Sequence, residues 1–220
     1  MTSGDPSYAA TSEALRHDRL IAIVRAPTRA LARACAGAAH AGGIRFIEIT
    51  FGVPECVDLV AELAAAWPDA VIGVGTVLTA DQARAAEAAG ARFAVSPNVD
   101  PAVVEAARAA GLVSIPGAST PTEIVAAARA GATFVKVFPC KTLGGPEYIR
   151  LVRGPLPDIP LIATGGISLS SIAAYLEAGV AAVGATGDLY IPDLVDAGEW
   201  DKLAGRARRF KEAARNAPGP

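Results

Sequence analysis

Histidine is nearly missing from this chain. Two of its 220 residues are histidine, His17 and His40, too few for a zinc site built on several imidazoles or for a histidine-based proton relay. His17 lies in the N-terminal segment. His40 falls at a helix C-terminus, where the helix dipole is reason enough for an imidazole. No set of His, Cys, Asp and Glu has metal-ligand spacing, so neither a metal nor a cofactor is expected. The three cysteines, Cys35, Cys56 and Cys140, are odd in number, widely spaced and without a CxxC pair. They read as reduced thiols of a cytoplasmic protein, with Cys140 a small buried filler. No apolar run reaches the roughly 18 residues of a membrane span, and residues 1–12 lack the apolar centre of a signal peptide. A net charge of −2 gives no electrostatic case for nucleic acid or an anionic membrane. Lysine is scarce as well, four among twenty basic residues, so it is not the default cation here.

What the chain does have is apolar mass. Hydrophobic residues make up 52% and charged residues 19%, enough for one sizeable core. A phrase recurs: an Ala-rich helix end, a glycine, then a short apolar strand. It occurs at Ala41-Gly42-Gly43, Ala89-Gly90, Ala110-Gly111, Ala130-Gly131 and Ala178-Gly179, the glycine being the residue suited to end a helix. Strands also follow Pro68 (71–75) and Pro160 (161–163), and an opening strand covers Leu20–Val24, giving eight. Thr79-Ala80-Asp81-Gln82 and Thr120-Pro121-Thr122-Glu123 are capping boxes that start helices, and Ser168 opens another. Strands alternating with helices predict α/β architecture with parallel strands. Eight units predict a single (β/α)8 TIM barrel over about residues 19–212, in one domain spanning 1–220, with an extra N-terminal helix in residues 1–18. A doubly wound open sheet is the alternative, but Arg25-Ala26-Pro27-Thr28 stands where its phosphate loop would follow the first strand.

In such a barrel, chemistry gathers at the C-terminal strand ends. Lys136 lies within Thr133–Pro139, a run that reads as a buried strand. An ammonium buried there escapes its desolvation cost by a lowered pKa, and a neutral amine in an apolar pocket is a nucleophile for a carbonyl. The plain alternative is a strand-end lysine reaching solvent. Glu48, between Ile47 and Ile49, alternates onto another face from those two and could answer Lys136 across the barrel. That arrangement is either a proton shuttle or a structural ion pair. Thr164-Gly165-Gly166-Ile167 before Ser168 is a possible anion site, though a tight turn explains the glycines equally well.

Six stretches occur in order: Ile47-Glu48-Ile49-Thr50-Phe51, Gly73-Val74-Gly75-Thr76-Val77, Val95-Ser96-Pro97, Ile115-Pro116-Gly117, Lys136-Val137-Phe138-Pro139 and Thr164-Gly165-Gly166-Ile167. Together, over about residues 13–212, the chain resembles the 2-keto-3-deoxy-6-phosphogluconate (KDPG) / 4-hydroxy-2-oxoglutarate (KHG) aldolase family. The resemblance implies a metal-independent class I aldolase on a (β/α)8 barrel, usually a homotrimer, acting on a small-molecule 2-oxo acid. It implies Lys136 as the Schiff-base lysine and Glu48 as the general acid/base. Thr76 and Arg25 match positions that hold the pyruvate carboxylate, and Phe138, Pro97 and Thr164 would line the pocket. Gly165 and Gly166 would offer N–H groups to a substrate phosphate, and Thr186 a hydroxyl.

Two positions depart from the pattern. Gly52 stands where some members carry an arginine, and Thr186-Gly187 followed by Asp188 stands where many have Gly-Ser. The leading expectation is cleavage of KDPG to pyruvate and glyceraldehyde 3-phosphate. Alternatives are an unphosphorylated substrate such as 4-hydroxy-2-oxoglutarate, a phosphosugar isomerase on the same barrel, and a non-catalytic barrel.

Overall fold

The computed structural model describes residues 6–218; residues 1–5 of the expected N-terminal helix lie outside them. The chain starts with α1 (Pro6–Asp18) and then alternates strand and helix: β1 (Leu20–Val24), α2 (Arg29–Ala41), β2 (Phe46–Thr50), α3 (Cys56–Ala66), β3 (Val71–Gly75), α4 (Ala80–Ala88), β4 (Phe93–Val95) and α5 (Pro101–Ala109). The second half runs β5 (Val113–Ile115), β6 (Gly117–Ala118), α6 (Pro121–Arg129), β7 (Val135–Val137), α7 (Pro146–Arg153), β8 (Leu161–Thr164), α8 (Ile172–Glu177), β9 (Ala182–Ala185), α9 (Pro192–Asp196) and α10 (Trp200–Asn216).

All pairings are parallel, in the order β5-β4-β3-β2-β1-β9-β8-β7-β6. Nine segments stand where eight strands are expected because the fifth is interrupted at Pro116, which has no N–H for the ladder. Val113–Ile115 pairs with β4 and Gly117–Ala118 with β7, while the Pro116 carbonyl still accepts from Lys136 N–H at 2.8 Å. The two halves of that broken strand join the ends of the sheet, and the barrel closes through them.

Period-two alternation divides the residues between two sides. Ile21, Ile23, Phe46, Phe93, Val95, Val113, Ile115, Phe134, Ile162 and Ala182 cluster inside the barrel. Val24, Ile47, Ile49, Ile72 and Val74 pack outward against helices on one side, and Val135, Val137, Leu161, Ala163 and Val183 on the other. The lower interior is filled by large apolar groups, with Phe46 and Phe93 tilted at 47° and 5.8 Å apart. Helix α1 covers this end. Its Leu15 joins the interior cluster, its Tyr8 hydroxyl bonds Thr133 Oγ1 at 2.6 Å, and Arg16 lies 4.7 Å from the Phe134 ring centroid.

Both expected capping boxes form: Thr79 with Gln82 and Thr120 with Glu123, each satisfying two otherwise orphaned N–H groups. The expected helix start at Ser168 does not. There, Ser168 N–H donates to Ser171 Oγ at 2.9 Å and the Ser168 and Ser170 hydroxyls bond each other. Side chains that compete for the backbone hold residues 168–171 in turns, and α8 begins only at Ile172. Among the described residues, no helix is long and apolar enough to cross a membrane.

Candidate active site

Strand β7 reads Val-Lys-Val. Its two valines face the helices, which by alternation turns Lys136 into the barrel, where only 8% of it is exposed. On β2, Ile47 and Ile49 pack outward and Glu48 turns inward, 2% exposed. This is the alternation expected for Glu48. Its carboxylate extends toward β3, into space left open by the missing side chain of Gly75. A Cβ built on Gly75 would overlap Glu48 Oε1 and lie 2.8 Å from its Cγ. Gly73 does the same a pleat lower, where a Cβ would strike the Phe93 ring.

Burial pushes the Glu48 carboxyl above its ordinary pKa, with Lys136 and Arg25 partly offsetting that rise. Burial pushes Lys136 below the usual lysine value; Glu48 opposes the fall and Arg25 adds to it. Desolvation leads at both groups and displaces each toward its neutral form. The Lys136 amine lies 4.7 Å from the Phe138 ring centroid, and a ring face at that distance attracts its protonated form. Arg25 is exposed just past β1, yet its charge reaches both buried groups.

Other residues singled out in the sequence surround this pair at the C-terminal mouth. Thr76 follows β3 with φ of 59°, a left-handed conformation that non-glycine residues adopt rarely and that recurs at functional sites. Pro97 follows β4, half-buried; its carbonyl lies so near Gly117 that a Cβ there would collide with it. Thr164 ends β8, 4% exposed, with its hydroxyl unpartnered. Gly165 and Gly166 follow at φ of 85° and 86°, and Lys141 N–H donates to the Gly165 carbonyl at 3.0 Å. Thr186 is exposed beyond β9, where its carbonyl accepts from Leu189 and Tyr190 N–H at 2.9 and 2.8 Å.

Asp188, which follows Thr186-Gly187, is held by two contacts. One carboxylate oxygen accepts from Leu169 N–H at 2.8 Å, capping the 168–171 turn, and the other pairs with Arg206 at 2.8 Å. Its charge is balanced by Arg206.

Three contributors were not assigned a role from sequence. Thr50, two residues beyond Glu48 and by alternation on the same face, is 1% exposed with an unpartnered hydroxyl. A buried hydroxyl without a protein partner costs about 1–3 kcal/mol, and Thr50 shares this feature with Thr164. Lys141 lies along Gly166, its Cδ 2.7 Å from where a Cβ on that glycine would be, bringing a cation to the glycine pair. Cys56 donates to the Ile49 carbonyl at 3.6 Å, and burial followed by the Glu48 charge pushes its thiol up to about 12, leaving it inert. Alternation alone would have exposed Thr50; the other two depend on loop paths.

A cleft of about 350 Å³ at the other end of the barrel is lined by Arg16, Arg19, Arg153 and Asp158, and another of about 340 Å³ by His17, Asp18, Arg45 and Lys211. Neither lining includes Lys136 or Glu48. At the opposite mouth the buried Lys136 amine, the Glu48 carboxyl and the unpartnered hydroxyls of Thr50 and Thr164 converge.

Comparison with known proteins agrees with this geometry. The family described as KDPG and KHG aldolase matches residues 11–205. A 2-dehydro-3-deoxy-phosphogluconate aldolase from Pseudoalteromonas atlantica is 38% identical over 169 residues, covering 77% of this chain and 79% of the relative. The 2-dehydro-3-deoxy-6-phosphogalactonate aldolase of Escherichia coli K12 is 35% identical over 201 residues, 90% of this chain and 95% of the relative. Among solved structures, the KDPG aldolase from Legionella pneumophila, with pyruvate captured at low pH as a covalent carbinolamine intermediate, superposes with TM-score 0.82 at 27% identity. That match covers 90% of this chain and 97% of the other. With the family matched along most of its length on a barrel of the same architecture, this chain belongs to the KDPG and KHG aldolases, lyases that act as pyruvate aldolases.

Proposed function

We propose that this aldolase works through a Schiff base on Lys136 and that its substrate is a phosphorylated 4-hydroxy-2-oxo acid, with KDPG cleaved to pyruvate and glyceraldehyde 3-phosphate. The observation that carries the reading is the inward pair Lys136 and Glu48, both buried, both displaced toward their neutral forms and both within reach of the Arg25 charge. The Lys136 amine, in its unprotonated form, adds to the substrate C2 carbonyl. The carbinolamine hydroxyl takes a proton from the Glu48 carboxylic acid and leaves as water, giving a cationic imine and the Glu48 carboxylate. Glu48 takes the C4 hydroxyl proton, through a water, as the C3–C4 bond breaks. The bond's electrons pass into the imine as an enamine and the aldehyde leaves. Protonation at C3 and hydrolysis then release pyruvate and restore the Lys136 amine. Arg25, a fork that is always charged, suits the pyruvate carboxylate. Thr76 is assigned to the same carboxylate, and Phe138, Pro97 and Thr164 to the walls.

The preference for phosphate rests on Lys141 beside Gly166, the two left-handed glycines and the balanced charge of Asp188. Thr186 completes that subsite. The carbinolamine captured in the Legionella relative supports a covalent route here. A homotrimer, the family's usual assembly, belongs to the same reading, and sedimentation equilibrium tests it.

Borohydride reduction in the presence of pyruvate is the direct test. A pyruvyl adduct on Lys136, absent from Lys136→Ala, is expected by intact mass and peptide mapping. No adduct under conditions that label another class I aldolase would sink the Schiff base. Condensation of pyruvate with glyceraldehyde 3-phosphate against glyoxylate then separates the phosphorylated from the unphosphorylated substrate.

A further inference from the structure

The ladder between β6 and β7 ends in a side chain. Lys136 N–H donates to the Pro116 carbonyl at 2.8 Å and Phe138 N–H to the Ala118 carbonyl at 3.1 Å, as expected for strands paired at Gly117–Lys136 and Ala118–Val137. Carried one step further, the same pattern would bring Thr120 N–H to the Phe138 carbonyl. Thr120 N–H is committed elsewhere. It donates to Glu123 Oε2 at 2.9 Å, and Ser119 N–H donates to the same oxygen at 2.8 Å. The box that starts α6 thus takes the N–H groups the ladder would use, and the Ser119 hydroxyl stands in, donating to the Phe138 carbonyl at 2.7 Å. Ser119 is itself held from α7, where the Tyr148 hydroxyl donates to its carbonyl at 2.7 Å. Pro139, next in the chain, has no N–H with which to anchor the Phe138 turn.

Where Phe138 sits bears on the nucleophile. Its ring centroid lies 4.7 Å from the Lys136 amine, and a Cβ built on Gly165 would lie 3.1 Å from its Cδ2. The ring therefore fits between the amine and a stretch of backbone that carries no side chain. We propose that Ser119 is a positioning residue for the aldolase reaction: by holding the Phe138 carbonyl it holds the ring as the wall that aims the Lys136 amine at the substrate C2. The proposal rests on the Schiff-base reading and deepens it. A lysine side chain has many rotamers. A wall that removes those pointing away from the carbonyl raises the share of time the amine stands within reach of it. Ser119 acts only through Phe138, which makes the ring the place to test it.

Ser119→Ala is made in the full chain, alone and in a Phe138→Leu background. Alone, it should lower kcat for aldol cleavage about tenfold and slow borohydride trapping of pyruvate at Lys136 by a similar factor, with the adduct still reaching full occupancy. Phe138→Leu removes the ring, so the same substitution there should change kcat less than about twofold. Any loss of Tm should be alike in the two backgrounds, which separates support of the loop from placement of the ring. Tyr148→Phe loosens Ser119 while keeping its hydroxyl. It should cost about threefold in kcat, again only when the ring is present, and it carries the test if Ser119→Ala does not fold. Wild-type kcat in Ser119→Ala, or a tenfold loss that persists without the ring, overturns the proposal while leaving the adduct intact. A wild-type protein that forms no adduct overturns the Schiff-base reading itself, and this proposal with it.

Discussion

The Glu48 carboxylate occupies the volume that a side chain on Gly75 would need. A residue with no side chain thus sets the position of the acid. Gly75→Ala is expected to push Glu48 off its position and lower kcat on the order of 100-fold, alongside the 1–3 kcal/mol or so typical of overpacking. Gly73→Ala is the control. Its methyl meets the Phe93 ring, so it should lose comparable stability with less than about a tenfold change in kcat. Equal kcat losses in the two variants would show that general loosening, not carboxylate placement, is responsible.

The opposed displacements of Glu48 and Lys136 make a second expectation. Glu48 is raised in the folded chain from 4.5, so its stabilisation is fully present below that value and lost as pH rises through the folded pKa. Lys136 is lowered from 10.5, so its contribution runs the other way: stability is gained as pH rises through its folded value. Lys136→Met removes the second effect and enlarges the first, because the ammonium no longer holds Glu48 down. The Tm difference, variant minus wild type, should therefore fall as pH is raised from 4.5 toward 10.5. A difference that stays flat across that range would show that the two groups do not share an electrostatic environment.

Lys141 supplies the third. If it serves a substrate phosphate, Lys141→Met should lower kcat/KM for the phosphorylated substrate about tenfold, the scale of one charge-assisted contact. Unphosphorylated 4-hydroxy-2-oxoglutarate should be nearly unaffected. This variant is cleaner than a charge placed at Gly166, where a side chain would collide with Lys141 and adopt an unfavourable φ. Steady-state kinetics with both substrates decides it, and parallel losses on both would remove Lys141 from the phosphate site.

These relationships mark how far the sequence could be read. Strands and their inward residues were legible, because Ile47-Glu48-Ile49 and Val135-Lys136-Val137 carry their alternation in the string itself. The capping boxes were legible for the same reason, being local. Pro116 stood in plain view, but its effect depends on which neighbour each side of it pairs with. Ser168 looked like a helix start because one serine resembles an N-cap; three serines bonding to the backbone and one another made turns instead. Gly75 beneath Glu48 and Lys141 along Gly166 are contacts between strands or loops that no spacing encodes. Thr50 lies between these cases: its face follows from alternation, its empty hydroxyl only from the packed barrel.

Asp188 and Arg206 test the phosphate site from outside it. A carboxylate near a dianion repels it, yet this one is turned to Leu169 N–H and paired with Arg206. The Asp188 side chain is 37% exposed, so solvent screens the pair and its worth is modest, about 0.5–1 kcal/mol. Arg206→Met frees the carboxylate and should raise KM for the phosphorylated substrate roughly three- to fivefold, more at low salt than at high. Asp188→Asn in that background removes the freed charge and should bring KM back toward wild type. Recovery in the double variant would tie the effect to charge. A KM that stays raised would assign it instead to the lost Arg206 contacts with the Asp188 carbonyl and the Phe210 ring, making Arg206 a structural support for the loop after β9.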